Sequence, residues 1–354
     1  MARWSAPRSG EPDDPRFPEF SDVEAFRVVY SIDAWRAMYS VVVPIYRNAE
    51  FVPLLVSEFG RIAALVAERF RMPMEVVFVV DGSPDNSYDL LKQALPDARF
   101  RSQLVLHARN FGSFAAMRTG LRAAKGETFG IIAGDLQEPP ELLIGFLESL
   151  ADDSCDIVIG VREGRDDPAL SRFYANLFWR LYRRLVIKDI PEGGVDLFAC
   201  NLAVRNELLR LDEAHSSLVG LLFWLGFRRR EVKYKRRARA MGKSAWTFGK
   251  KVTYLLDSVF AFTDLPIRIL TFLGAVGLTM AVGLGAIVTL LRLMGAINVP
   301  GYAATVLVIT FFGALNMLGI GLIGSYVWRT YENTKRRPLA IAQRSESFDG
   351  NVTA

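Results

Sequence analysis

Gly134 to Glu141 reads GDLQEPPE and closes an apolar run, FGIIAGDLQEPPELL. An Asp and a Gln two apart in extended backbone point to the same side, so Asp135 and Gln137 could share a cation. A hard ion such as Mg²⁺, or Mn²⁺ in its place, needs only one or two oxygens from the protein when phosphates and water supply the rest. One carboxylate and one amide oxygen would therefore suffice beside a diphosphate. The plain alternative is a capped strand-to-helix turn, in which Pro139 and Pro140 stiffen the exit and start the next helix.

Two further groups of residues could do chemistry. Asp81, in VVDGSPDNS, could accept hydrogen bonds from the base or ribose of a nucleotide while Pro44 and Tyr46 pack against its ring, although the same residues would also make a good turn and helix cap. Arg109 and Asn110, in RNFG, could add polar contacts or close a turn. Arg162 and Arg165 in GVREGR, Ser171 and Arg172 just after, and Arg236, Arg239, Lys243 and Ser244 in YKRRARAMGKS form the basic group. Cations at such density near a membrane attract anionic headgroups, and an enzyme acting on a lipid phosphate would use them to hold it.

The elements that must carry these residues alternate. YSVVVPIY, EVVFVVDG, QLVLHA, FGIIAGD and CDIVIGV are apolar, β-branched runs separated by helix-length segments at Phe51–Phe70, from Ser87, near Ala115–Ala124 and from Pro140. Runs without polar alternation predict a mostly parallel sheet covered on both faces, an α/β fold with its ligands beyond the carboxyl ends of the strands. The acidic and glycine-rich pieces fall at those ends.

The chain has 354 residues, is 51% hydrophobic and carries a formal net charge of +5. Its apolar surplus is local. Ile269 to Leu291 holds 23 residues without a charge, about 34 Å of helix, and Ala303 to Trp328 is a second such run; both are read as transmembrane helices. They lie far from the N-terminus, and the first 40 residues lack the basic start and apolar run of a signal peptide. Between Arg228 and Lys251, eleven Lys or Arg face one acid, Glu231, and Lys335, Arg336 and Arg337 follow the second run, against Arg292 alone in the connection. The positive-inside rule then puts both ends in the cytoplasm, at the inner membrane. Cys155 and Cys200 are read as packed thiols in a reducing compartment, and His107 and His215 as structural. The expected organisation is a proline- and charge-rich arm over 1–37, a catalytic domain over 38–247, an interfacial helix over 248–266, two spans over 267–329 and a cytoplasmic tail over 330–354. The amphipathic segment Ala169–Ile187 is also read as interfacial. A nucleic-acid partner is disfavoured, because the basic block is tied to a membrane and lacks an aromatic stacking platform.

Taken together, VVVPIY, VVDGSPDNS, RNFGS, GDLQEPPE, GVREGR with SRFYANLFWRLYRRL, and YKRRARAMGKS ahead of two spans resemble the polyisoprenyl-phosphate glycosyltransferases, the membrane branch of glycosyltransferase family 2. The resemblance runs from Tyr39 to Lys335. It implies a GT-A fold, a nucleotide-sugar donor of the UDP type, a divalent metal, inverting transfer of one sugar to a polyprenyl phosphate, and a homo-oligomer. By position, Pro44, Tyr46 and Asp81 would hold the nucleotide, with the amide of Asn48 where relatives often carry an acid. Asp135 and Gln137 would hold the metal and diphosphate as the catalytic pair. Arg162, Ser171 and Arg172 would hold the acceptor phosphate, joined by Arg236, Arg239, Lys243 and Ser244. Ala133 stands where many members have a further Asp, and Phe198 where an Arg is often found. The rival readings are transfer to another membrane lipid, such as a diacylglycerol, and a non-catalytic scaffold that binds sugar nucleotides. A processive synthase is disfavoured, since the chain has no Gln-x-x-Arg-Trp.

Overall fold

The computed structural model describes residues 38–163, 179–180, 182–184, 186–191, 195, 197–213, 216–236, 248–294 and 301–351. Ser171, Arg172, Arg239, Lys243 and Ser244 lie outside the described residues, as do positions 1–37, Arg165, His215 and most of the segment 169–187.

The five expected strands form, as β1 (Tyr39–Ile45), β2 (Met74–Val80), β3 (Arg101–His107), β4 (Thr128–Ile131) and β5 (Ile157–Arg162). Between them lie α1 (Val52–Phe70), α2 (Ser87–Ala94), α3 (Ser113–Ala123) and α4 (Leu142–Ala151). Then come β6 (Phe198–Asn201), α5 (Leu202–Arg210), α6 (Leu218–Trp224), β7 (Arg229–Tyr234), α7 (Phe248–Phe262), α8 (Leu265–Leu293), α9 (Tyr302–Thr334) and β8 (Ala342–Phe348). All eight strands join one sheet in the order β7-β5-β6-β4-β1-β2-β3-β8. The pairs β1–β2, β2–β3, β1–β4 and β5–β7 are parallel. β6 runs antiparallel to both β4 and β5, and β8 antiparallel to β3. The sheet is thus mostly parallel, with layers on both faces.

Alternation along the strands feeds two cores. Val41, Val43, Val76, Phe78 and Val80 face α1 and α2 in one cluster, whereas Val42, Val77, Val79 and Val105 pack with α3, α5 and α6 in the other. This double burial explains why the strands read as continuous Val and Ile runs. α1 buries Val52, Leu55, Phe59, Ile62 and Val66 at helical spacing and ends where Arg71 turns left-handed at φ 53°. Both cysteines are buried; burial pushes the Cys200 thiol up to about 12 and raises that of Cys155.

α8 and α9 hold two segments long and apolar enough to cross a membrane, Leu265–Leu291 and Phe311–Thr334, and the protein itself covers almost nothing of either. Two attachments join them to the sheet domain. α7, read from the sequence as interfacial, packs one face on the domain. There Tyr254 stacks on Tyr182 at 5.7 Å with an interplanar angle of 8°, its hydroxyl lies 2.9 Å from Ser217 Oγ, and Tyr182 donates to Ser258 Oγ at 3.1 Å. Toward α9, Asp257 pairs with Arg329 at 2.6 Å, and Phe260 meets Tyr326 edge-on.

The second attachment was not legible in the sequence. The segment read as a tail returns to the sheet as β8, pairing Ser102–His107 with Ala342–Phe348. Glu346 takes hydrogen bonds from the Tyr88 hydroxyl and from Lys92 Nζ, the latter at 2.8 Å, and Asn351 N–H donates to the Ala98 carbonyl at 2.8 Å. AQRSESF is polar and mostly exposed, as suits an edge strand that covers the β3 edge without offering an apolar one. Removing residues 341–354 should lower the melting temperature in detergent by at least about 4 °C, given ~2–4 °C per kcal/mol for a domain of this size. Differential scanning fluorimetry reads this directly.

Candidate functional site

The carboxyl ends of β1, β2, β3 and β4 lie together because adjacent parallel strands are paired in register. Two glycines let their loops close up. Gly82 has φ 56°, and a Cβ there would lie 2.2 Å from the carbonyl carbon of Arg109, so the loops after β2 and β3 cross at a point where only glycine fits. At Gly134 a Cβ would lie 2.5 Å from Ile45 Cδ1 and 3.2 Å from the Pro44 oxygen. This brings the turn after β4 against the end of β1, and so brings Asp135 toward Pro44 and Tyr46.

Asp81 is the hub of the β2 and β3 loops. It is 2% exposed, and its Oδ1 accepts from Phe111 N–H and from His107 Nδ1, while Oδ2 accepts from Gly112 N–H, each at 2.8 Å. Its own carbonyl accepts from Asn110 Nδ2 at 3.3 Å. Because a carboxylate only accepts, His107 Nδ1 must carry the proton, leaving Nε2 to face the Thr119 hydroxyl at 2.9 Å. His107 is structural, as expected, and it is the partner of a candidate site residue.

The β1 exit is held by Asp85. Ser83 Oγ donates to Asp85 Oδ1 at 2.6 Å, Ser87 Oγ at 2.7 Å and Ser87 N–H at 3.3 Å, while Ala49 N–H donates to Oδ2 at 3.0 Å. Arg47, left-handed at φ 56°, donates its N–H to Ser83 Oγ at 2.7 Å. Asn48, read as a nucleotide contact, spends its amide oxygen on Tyr46 N–H at 3.0 Å. Tyr46 itself is 38% exposed, with the Arg47 guanidinium carbon 5.5 Å from its ring centroid. Burial opposes the charge on Asp85, but the hydrogen bonds from Ser83, Ser87 and Ala49 outweigh it and hold its pKa below the ordinary value.

The GDLQEPPE turn departs from the extended geometry expected of it. Leu136 sits at φ 51°, so the backbone reverses between Asp135 and Gln137 and the simple two-residue alternation does not apply. Such a conformation costs a non-glycine residue roughly 1–2 kcal/mol. Leu136 is held there by burial in the core packed around α1 and β1. The turn keeps the Asp135 carboxylate at the Gln137 backbone, whose N–H donates to Asp135 Oδ1 at 3.3 Å. Asp135 is half-buried, whereas Gln137 is 7% exposed and its Nε2 has no hydrogen-bond partner among the described residues. An exposed-facing carboxylate beside a buried amide with an unused donor suits a cation and a diphosphate together. Among the described residues no three of His, Cys, Asp and Glu converge.

Glu138 follows, 1% exposed, and pairs with Arg236 Nε at 3.0 Å. Arg236 lies two residues beyond β7, whose Tyr234 is opposite Arg162 of β5, so these two arginines of the basic group sit at neighbouring strand ends. The structure therefore brings Arg236 to the turn that carries Asp135 and Gln137. Phe198 opens β6 and is buried in the core. Asp85 and Glu138 were missed in the sequence. The first carried a capping signal that pointed only to a turn, and the second carried no signal at all.

The family model "Glycosyl transferase family 2" matches residues 40–211. The chain is 30% identical over 313 residues to the uncharacterized glycosyltransferase YkcC of Bacillus subtilis, covering 88% of this chain and 95% of that protein. It is 27% identical over 307 residues to the undecaprenyl-phosphate 4-deoxy-4-formamido-L-arabinose transferase of Yersinia enterocolitica, covering 86% and 92%. Among solved structures, glucosyl-3-phosphoglycerate synthase from Mycobacterium tuberculosis, in complex with Mn²⁺, UDP-glucose and phosphoglyceric acid, aligns with TM-score 0.46 and 17% identity over 64% of this chain and 82% of that one. The chain belongs to glycosyl transferase family 2, and its fold is a mostly parallel α/β sheet.

Asp81→Asn should cost about 1–3 kcal/mol in denaturant unfolding, because the amide's NH₂ would face an N–H donor and strand it. Asp85 has a depressed pKa when folded, so its contribution is present above the unfolded value of about 3.9 and is lost as pH falls below it. Melting curves from pH 6 down to about 3 should therefore lose less stability in Asp85→Asn than in the wild type.

Proposed function

We propose that this glycosyltransferase moves one sugar from a nucleotide-sugar donor to a polyprenyl phosphate at the cytoplasmic face of the membrane. The observation that supports this most directly is the Glu138–Arg236 contact at 3.0 Å. It joins the Asp135–Gln137 turn, suited to the donor diphosphate, to the basic segment that leads into the helices long enough to span a bilayer. The Yersinia relative is named for transfer to undecaprenyl phosphate, which agrees with an acceptor of this class. The basic block ahead of α8 supports a cytoplasmic active face.

In this reading Tyr46 and Pro44 flank the base, and Asp81 fixes the loops that shape the pocket. Asp135 and Gln137 are the residues that would hold Mg²⁺ or Mn²⁺, which when bound neutralises charge on the departing nucleoside diphosphate. Gln137 Nε2 would donate to a diphosphate oxygen. Arg162 and Arg236, with Ser171, Arg172, Arg239, Lys243 and Ser244, would bring the lipid phosphate into line against the repulsion of a second anion. A phosphate monoester has its second pKa near about 6, so it is largely a dianion at neutral pH and needs no base to remove a proton. Its oxygen attacks the anomeric carbon as the bond to the diphosphate oxygen breaks, and the configuration inverts.

The test is mass spectrometry of lipid products when purified protein meets UDP- and GDP-sugars with Mg²⁺ and, in parallel, polyprenyl phosphate, polyprenol or diacylglycerol. Product from the phosphate alone is expected. Product from the alcohols would assign a different acceptor and require a base that this site does not need for a dianion. Asp135→Ala should reduce turnover by at least about a hundredfold, in keeping with loss of a group that stabilises the leaving charge; full activity in that variant would remove the cation from Asp135.

A further inference from the structure

We infer that Glu138 is a positioning residue for the acceptor: its carboxylate fixes the Arg236 guanidinium so that the same arginine can receive the lipid phosphate. This rests on the proposed role of Arg236 in holding that phosphate.

The side chain of Glu138 is 1% exposed, and a turn whose exit is stiffened by Pro139 and Pro140 has no conformational need for an acid at that position. A carboxylate so deeply buried is tolerated only beside a cation. Arg236 supplies one from a separate strand end, through Nε at 3.0 Å, while its side chain stays 30% exposed. The contact is an ion pair without hydrogen-bond alignment at Nε, so it holds the guanidinium by charge beside the turn, and the terminal nitrogens of that planar fork are the pair suited to bidentate phosphate binding. Asp135 and Glu138 then divide the turn between them. The residues before Leu136 and just after it serve the donor, and Glu138 serves the acceptor through Arg236. An acceptor phosphate captured by Arg236 would thereby be registered against the donor through a few covalent bonds of one turn.

The experiment is steady-state kinetics of the full chain in detergent with a short-chain polyprenyl phosphate and a saturating nucleotide sugar, on Glu138→Gln, Glu138→Asp, Arg236→Ala and the double variant Glu138→Gln/Arg236→Ala. Glu138→Gln should raise the acceptor KM about tenfold, the effect typical of losing a residue that orients a ligand-binding group. The donor KM should stay within about twofold, since the donor contacts are untouched. Glu138→Asp should recover much of the loss, and the double variant should be no worse than Arg236→Ala alone. Melting temperatures of all four separate lost orientation from lost folding, and inorganic phosphate, as a competitor of the acceptor, should inhibit Glu138→Gln less than the wild type. An unchanged acceptor KM in Glu138→Gln, or additive penalties in the double variant, would overturn the inference while leaving the proposed function intact. An unchanged acceptor KM in Arg236→Ala would instead remove Arg236 from the acceptor site, and the role of Glu138 with it. Absence of transfer to polyprenyl phosphate by the wild type would overturn the proposed function itself.

Discussion

Parallel strands end on one side of a sheet, and every loop at that side must turn sharply while leaving its backbone polar groups satisfied. Here the buried carboxylate of Asp81 meets that demand for two loops at once. It accepts the N–H groups of Phe111 and Gly112 and lies 2.8 Å from His107 Nδ1, so the RNFG loop is held to the end of β2 by one buried side chain. Asp85 does the same for the exit of β1. Charge-assisted bonds of this kind are short and directional, and they let irregular backbone behave as a rigid part of the scaffold. The exposed ring of Tyr46 and the half-buried carboxylate of Asp135 can keep fixed positions because the groups behind them have few alternatives.

The membrane helices are fastened to this scaffold at two places. α7 uses stacked tyrosines and shared hydroxyls on its domain side and the Asp257–Arg329 pair on the side of α9. Beyond α9 the chain comes back as β8 and completes the sheet next to β3, the strand that leads directly into His107 and the RNFG loop. The pair of helices long and apolar enough to cross a membrane therefore enters and leaves through the sheet domain.

At the centre, like charges have to be brought together. In the proposed transfer a diphosphate and a phosphate monoester would repel, and the basic residues would answer on the acceptor side, with a sparse acidic supply on the donor side. The sparse supply is visible in Asp135, with Gln137 rather than a second acid two residues on and Ala133 two residues before. Glu138 adds negative charge to the same turn but spends it on Arg236.

The sequence by itself determined the five parallel strands, the two apolar spans and the grouping of acidic and glycine-rich pieces at strand ends, because each of these is written in local periodicity and composition. The placement of Pro44, Asp81, Asp135 and Arg162 at or near strand ends was legible for the same reason. Only tertiary structure decided what those residues touch. AQRSESF has no apolar alternation, and it becomes a strand solely because the β3 edge is there to pair with it. RREVKY reads as part of a basic juxtamembrane block until β5 lies beside it. Leu136 adopts φ 51° because the core around β1 and α1 holds its side chain, which no dipeptide preference forecasts. Glu138 was settled by Arg236, brought from beside a strand end far along the chain, whereas Asn48 is occupied locally by Tyr46 N–H. Periodicity reports which face a residue occupies, whereas pairing depends on which other segment arrives at that face, and that is fixed only when the sheet is assembled.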